Sequence, residues 1–250
     1  MMRFVGLTDV GQKRTENEDR FVCDDGAGFA VLADGMGGRL YGEVASDMAV
    51  EILGGHIRKD FPASVRRMAP ADQAAAARNL LDEWIRDVNL RIWRRGQEDE
   101  RFRDMGTTLV AMVDLGRHVL VAHVGDSRCY RSRKGNLEQL TEDHSLVNSQ
   151  VKEGRLTVDE ARESSQKNII TRAVGTAPAV KADFILLDLE QDDRFLMCSD
   201  GLSDMVVDER LGRILGGPLS LDAMTKTMVK EANENGGRDN ITAIVAEFKA

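Results

Sequence analysis

Apolar positions along this chain come in two rhythms. Short apolar runs at Phe4 to Thr8, Phe21 to Cys23 and Phe29 to Ala33 read as strands, and Asp24-Asp25-Gly26 between the last two is hairpin chemistry. Between the first two lies DVGQKRTENEDR, Asp9 to Arg20, a connection too charged for a core. The period then changes. Val44, Met48, Ile52, Leu53 and Ile57 recur at helical spacing, with Glu43 and Asp47 near the start, where the helix dipole favours acids. A second helix is predicted roughly from Ala71 to Arg95, with a buried stripe of Leu80, Leu81, Trp84, Ile85, Val88 and Ile92. A tryptophan on such a stripe reads as core rather than as a ligand platform.

From Thr107 the strand rhythm returns. Thr107 to Asp114, His118 to Val124, Arg128 to Ser132 and Leu137 to Leu140 are separated by Leu115-Gly116-Arg117, Gly125-Asp126-Ser127 and Lys134-Gly135-Asn136. Links this short predict that successive strands are antiparallel neighbours. The stretch Thr141 to Ala173 is polar, with two short helical candidates at Ser145 to Lys152 and Val158 to Ser164, and is the segment expected to move over a site. Strands at Ala182 to Asp188 and Arg194 to Cys198, helices near Asp208 to Leu215 and Leu221 to Glu234, and a last strand at Ile241 to Phe248 complete the pattern. This order is α+β rather than alternating βαβ. No linker, repeat or low-complexity stretch interrupts it, which predicts one domain over residues 1–250.

Composition narrows the partners. The chain has 250 residues, 42% hydrophobic and 30% charged, as an ordinary globular protein does. Its net charge of −8, from 42 acids against 34 bases, argues against nucleic acid, which calls for clustered Lys and Arg. The three cysteines, Cys23, Cys129 and Cys198, lie far apart inside strands, which suits a reducing compartment; none has an arginine six positions later, so the cysteine loop that binds phosphate is absent. No basic-then-apolar leader and no apolar window of about 18 residues is present. A cytoplasmic location without a membrane partner is the expectation.

The candidate chemistry lies in acids at strand edges. FAVLADGMGG, Phe29 to Gly38, ends an apolar run in Asp34, followed by a glycine-rich loop. Asp25-Gly26 in the hairpin is an internal control, because it shows that the dipeptide alone means little. Asp126, Asp200 and Asp239 nevertheless share the placement of Asp34, each beside an apolar strand in a turn containing or flanked by glycine. Singly, each has an ordinary reading: Asp200 as a cap of the next turn, Asp239 as an Asx-turn residue. Jointly they predict a cleft whose carboxylates repel unless a cation neutralises them, and oxygen-only ligands favour Mg²⁺ or Mn²⁺ over zinc. The histidines, His56, His118, His123 and His144, form no zinc pair at helical spacing, and only His144, at the start of the polar segment, is kept as a candidate. Arg14, four residues before Glu18, is the candidate phosphate grip, and it reads equally as a solvated loop arginine.

RTENEDR, LADGMGG, VGDSR, CSDG and GRDNIT occur in this order, and together they resemble the metal-dependent protein phosphatases of type 2C, in their compact bacterial Ser/Thr branch. The resemblance spans about Asp9 to Phe248. It implies a four-layer αββα sandwich, two antiparallel sheets flanked by helices, with two Mn²⁺ or Mg²⁺ ions at one end. It further implies hydrolysis of phosphoserine and phosphothreonine on proteins by a metal-bridging water, reversing bacterial Ser/Thr kinases. By the same resemblance Asp34 bridges the two ions, Gly35 lends a carbonyl to the second, and Asp200 and Asp239 complete the first. Glu18 and Asp19 match the acidic pair supporting the second ion, Asp126 the ligand of a third, weaker ion, and Arg14 the phosphate-gripping arginine. Residues 141–173 correspond to the flap. Met36 departs from the many eukaryotic members that carry a histidine there as a suggested general acid; methionine is common in the bacterial branch. Two other readings fit parts of the pattern: a phosphoprotein-binding module with a vestigial site, and a phosphatase dedicated to one signalling phosphoprotein. The full set of acids speaks against the first, and a chain with no room for a fused sensor domain against the second.

Overall fold

In the computed structural model, which describes residues 1–36, 41–65 and 67–249, eleven strands and seven α-helices form four layers. One sheet runs in the order β1 (Met2–Asp9), β11 (Ile241–Phe248), β10 (Arg194–Cys198), β7 (Arg128–Arg133), β8 (Asn136–Gln139). The other runs β2 (Asp19–Asp24), β3 (Phe29–Met36), β5 (Leu109–Asp114), β6 (His118–Val124), β9 (Asp183–Asp188), and short β4 (Gly106–Thr107) also pairs with β3. All these pairings are antiparallel.

Both faces of the central strands are covered, which is why they read as continuous apolar runs. Along β3, Phe29, Val31 and Ala33 point to α1 (Gly42–Ser64) and α2 (Pro70–Glu98), where they meet Leu53, Ile57, Trp84 and Val88. The alternate residues Ala30 and Leu32 point inward, against Phe4, Phe195, Met197 and Ile244 of the other sheet. On the far side, Leu196, Cys198, Ala243 and Val245 pack on α5 (Asp200–Ser203), α6 (Asp208–Leu215) and α7 (Leu221–Glu234). Trp84 is buried on its predicted stripe.

The hairpin at residues 25–28 forms as expected, and Asp25 spends its carboxylate on the Phe4 N–H (2.8 Å). Two expectations fail. β6 and β7 are not neighbours: the Gly125-Asp126-Ser127 link carries the chain from one sheet to the other. Gly125, at φ +103°, makes that change of direction possible. The strand expected over Thr107 to Asp114 is broken at Thr108, because the Thr108 hydroxyl rather than its carbonyl takes the Asp34 N–H (3.0 Å). In the polar segment, α3 (Leu146–Lys152) and α4 (Val158–Glu163) form, each with a side-chain cap, from Ser145 and Thr157. Among the described residues no helix is long and apolar enough to cross a membrane.

Candidate metal centre

β3 runs on to Met36 rather than ending at Ala33, so Asp34 is held inside a strand. Its N–H goes to Thr108 Oγ1 and its carbonyl accepts the Thr108 N–H (2.8 Å). Opposite it in register is Asp19. Asp19 is buried, and its Oδ2 accepts from Thr242 Oγ1 (2.6 Å) and Ser199 Oγ (2.8 Å), while Oδ1 is buried without a donor. Thr242 in turn lies 2.7 Å from Thr8 Oγ1, which accepts from Asn17 Nδ2 (2.9 Å), so hydroxyls of the β1–β11–β10 sheet fix a carboxylate of the other sheet. Gly35 lies against the start of α1: a Cβ there would meet the Gly42 carbonyl oxygen at 2.2 Å, and its own N–H donates to Glu18 O (3.2 Å). Gly37 and Gly38, the rest of the predicted glycine loop, lie outside the described residues.

Asp200 opens α5 immediately after β10, and Asp239 precedes β11, the strand paired with β10. Asn240 staples the polar N-terminal connection to this edge. Its amide donates to Val10 O (3.0 Å) and Glu16 O (2.9 Å), and its Oδ1 accepts from Glu18 N–H (2.8 Å). That staple brings Arg14 over the centre, where Nη2 donates to Asp239 Oδ2 at 2.7 Å.

Electrostatics tie the acids together. Burial first, then the charges of Asp19, Asp200, Asp126 and Asp239, hold the Asp34 carboxyl well above its usual range. Burial, then Asp126, Asp239, Asp204 and Asp19, does the same to Asp200. Burial pushes Asp19 up to about 6 in spite of its two hydroxyl donors. Asp126 is also raised to about 6, by burial and then by Asp143. Glu18, bonded to the Gly42 N–H (3.2 Å), is raised by burial and next by Glu43. Carboxylates that repel so strongly, an orphaned buried oxygen on Asp19 and an oxygen-only donor set suit a hard divalent cation.

The expected acids and Arg14 are therefore brought together. Sequence reasoning missed the roles of Thr108, Ser199, Thr242 and Asn240. The last three adjoin the motif acids, but nothing in a linear reading pairs Asp19 with Thr242, 223 positions away. His144 is not at this cluster; it lies beside Gly125, with His123 and Asp183.

The family profile of protein phosphatase 2C matches residues 11–246. The chain belongs to this family. The protein phosphatase PhpP of Streptococcus pneumoniae is 40% identical over 249 residues, which cover 97% of this chain and 96% of that protein. Serine/threonine phosphatase stp of Listeria monocytogenes is 35% identical over 243 residues, 96% of this chain and 93% of its own. Among solved structures, the Mycobacterium tuberculosis serine/threonine phosphatase PstP/Ppp superposes with a TM-score of 0.88 at 34% identity, covering 100% of this chain and 99% of that one. A catalytic domain of PstP in complex with two manganese ions superposes at 0.86 and 32% identity, with 100% and 99% covered. The protein phosphatase 2C relatives thus include one with metal bound in the same fold.

Proposed function

We propose that this chain is a metal-dependent protein serine/threonine phosphatase, hydrolysing phosphoserine and phosphothreonine on proteins in the cytoplasm and reversing Ser/Thr kinases. One observation carries the reading: buried Asp34 lies in an oxygen-rich cluster at the sandwich edge, where the charges of Asp19, Asp200, Asp126 and Asp239 all raise its proton affinity. The whole chain acts as one catalytic domain, with residues 141–173 as its flap. Three free cysteines, two of them buried, accord with a reducing compartment.

Asp34, Asp200 and Asp239, with Asp126 for a weaker ion, hold Mn²⁺ or Mg²⁺; the Gly35 carbonyl, Glu18 and Asp19 support the second position. When bound, such ions polarise the phosphoryl group and lower the pKa of water. Arg14 swings from Asp239 to grip the phosphoryl oxygens with two parallel N–H donors. Asp19, locked by Ser199 and Thr242, keeps Asp34 aimed across the strand pair. Met36 holds no transferable proton, so this chain's own residues at that position do not protonate the leaving alkoxide.

Purified protein should release phosphate from a phosphothreonine peptide with Mn²⁺ and lose that activity in EDTA. Activity persisting in EDTA overturns the reading.

A further inference from the structure

His144 stands at the start of the polar segment and grips one residue twice. Its backbone N–H donates to Gly125 O (3.0 Å), and its ring Nδ1 accepts the Gly125 N–H (3.0 Å). Gly125 has little room to answer in any other way: an added Cβ would lie 2.7 Å from Thr108, the residue that holds the Asp34 N–H. With Nδ1 accepting, the ring proton sits on Nε2, which donates to Asp183 Oδ2 at 2.9 Å. Arg172 Nη1 donates to the same oxygen (2.8 Å) and to Lys181 O (3.2 Å). It also lies 3.0 Å from Nε2, and with the ring proton there the two N–H groups share the Asp183 carboxylate rather than bond each other. The far end of the segment returns to the same point, Thr171 N–H donating to His144 O (2.8 Å). His123, directly opposite Asp183 in register, stacks on the other face of the ring at a centroid distance of 4.7 Å.

His123, His144 and Asp183 bring one ligand atom each within 4.8 Å of one another, which raises the question of an ion. The hydrogen bonds answer it. Nδ1 of His144 is occupied by Gly125, the other nitrogen carries the proton given to Asp183, and the Arg172 guanidinium already supplies the positive charge. An ion on Nε2 would move the ring proton to Nδ1, facing an N–H donor.

We propose that His144 is a positioning residue: anchored by Asp183 and Arg172, it fixes the Gly125 peptide, thereby aims the adjacent Asp126, and so sets the affinity of the weakest ion at the centre while joining both ends of the flap to that ligand. This rests on the reading of Asp126 as a ligand. A group hydrogen-bonded to a ligand is worth about 10–100-fold in metal affinity or activity, and His144, which holds the residue before Asp126, should act at the low end of that range.

The test is a calorimetric Mn²⁺ titration of the full chain, with melting curves alongside. His144→Asn places an amide oxygen where Nδ1 stands, whereas His144→Gln keeps only the reach toward Asp183. His144→Ala and His144→Gln should weaken the weakest class of Mn²⁺ sites about tenfold and leave the tighter class unchanged. His144→Asn should bind nearly as wild type does. In an Asp126→Ala background none of the three should have a further effect. Asn and Gln variants that lose affinity alike, effects additive with Asp126→Ala, or a wild type without an Asp126-dependent class each overturn the proposal. Should the alanine variant fail to fold, the Asn and Gln pair decides alone. The titration also separates the two readings. Normal Mn²⁺ classes with no phosphate release would sink the phosphatase assignment and leave the positioning role standing.

Discussion

Asp25 and Asp34 each precede a glycine, yet the structure gives them different work. Asp25 receives the Phe4 N–H at a part-buried position, an interaction worth about 1 kcal/mol of stability and remote from the acid cluster. Asp34 is surrounded by four other carboxylates. Asp34→Ala should therefore abolish phosphate release while its unfolding curve stays cooperative, and Asp25→Ala should lower stability slightly and leave kcat intact. Similar kcat losses in both would mean that the acids are wrongly assigned. Arg14 is intermediate. Its guanidinium is half-exposed and contributes one strong contact, so Arg14→Ala should cost roughly 3 kcal/mol, about a hundredfold in kcat/KM, far less than the loss of Asp34.

Most elements could be read from periodicity because the sandwich buries both faces of its central strands and one stripe of each long helix. What escaped that reading depends on three-dimensional choices made by single residues. The β6–β7 link looks like a hairpin in one dimension, since a glycine at positive φ serves a tight turn and a crossover equally well. Crossing there places Asp126 at the seam where the two sheets meet, which an ordinary hairpin would not. The site was legible as a set of acids and illegible as a set of hydroxyls: Ser and Thr on strands carry no signal until the sheets stack and Ser199 and Thr242 face Asp19. Gly35 belongs to this scale too, because it marks where β3 meets α1. Gly35→Ala would drive a Cβ into the Gly42 carbonyl oxygen at 2.2 Å and toward Glu18 O at 2.7 Å, both backbone atoms that cannot rotate away. Urea unfolding should show a loss of about 1–3 kcal/mol. An unchanged midpoint would mean that the β3–α1 junction yields more easily than its packing implies.

For the molecule as a whole, the cluster of acids makes stability, pH and divalent ions one linked system. Asp19 and Asp126 have carboxyls raised to about 6 in the folded chain, and Asp34 and Asp200 are raised by burial and by the neighbouring acids. A raised carboxyl stabilises the fold fully below its unfolded pKa of about 4, and that contribution is lost as pH rises through the folded value. EDTA-treated protein should accordingly melt progressively lower, as far as this cluster governs it, between pH 4 and pH 7. Mn²⁺ requires the deprotonated carboxylates and so acts with the opposite slope. At a hundredfold excess over Kd a ligand adds about 2.7 kcal/mol, which at roughly 2–4 °C per kcal/mol for a chain of this size is a rise in Tm of about 5–10 °C. That rise should appear near pH 7.5 and shrink toward zero near pH 5, where protons hold the same oxygens. Scanning calorimetry with EDTA or Mn²⁺ across this range measures both slopes. A Mn²⁺ effect of equal size at both ends of the range would show that the ions bind elsewhere than among these carboxylates.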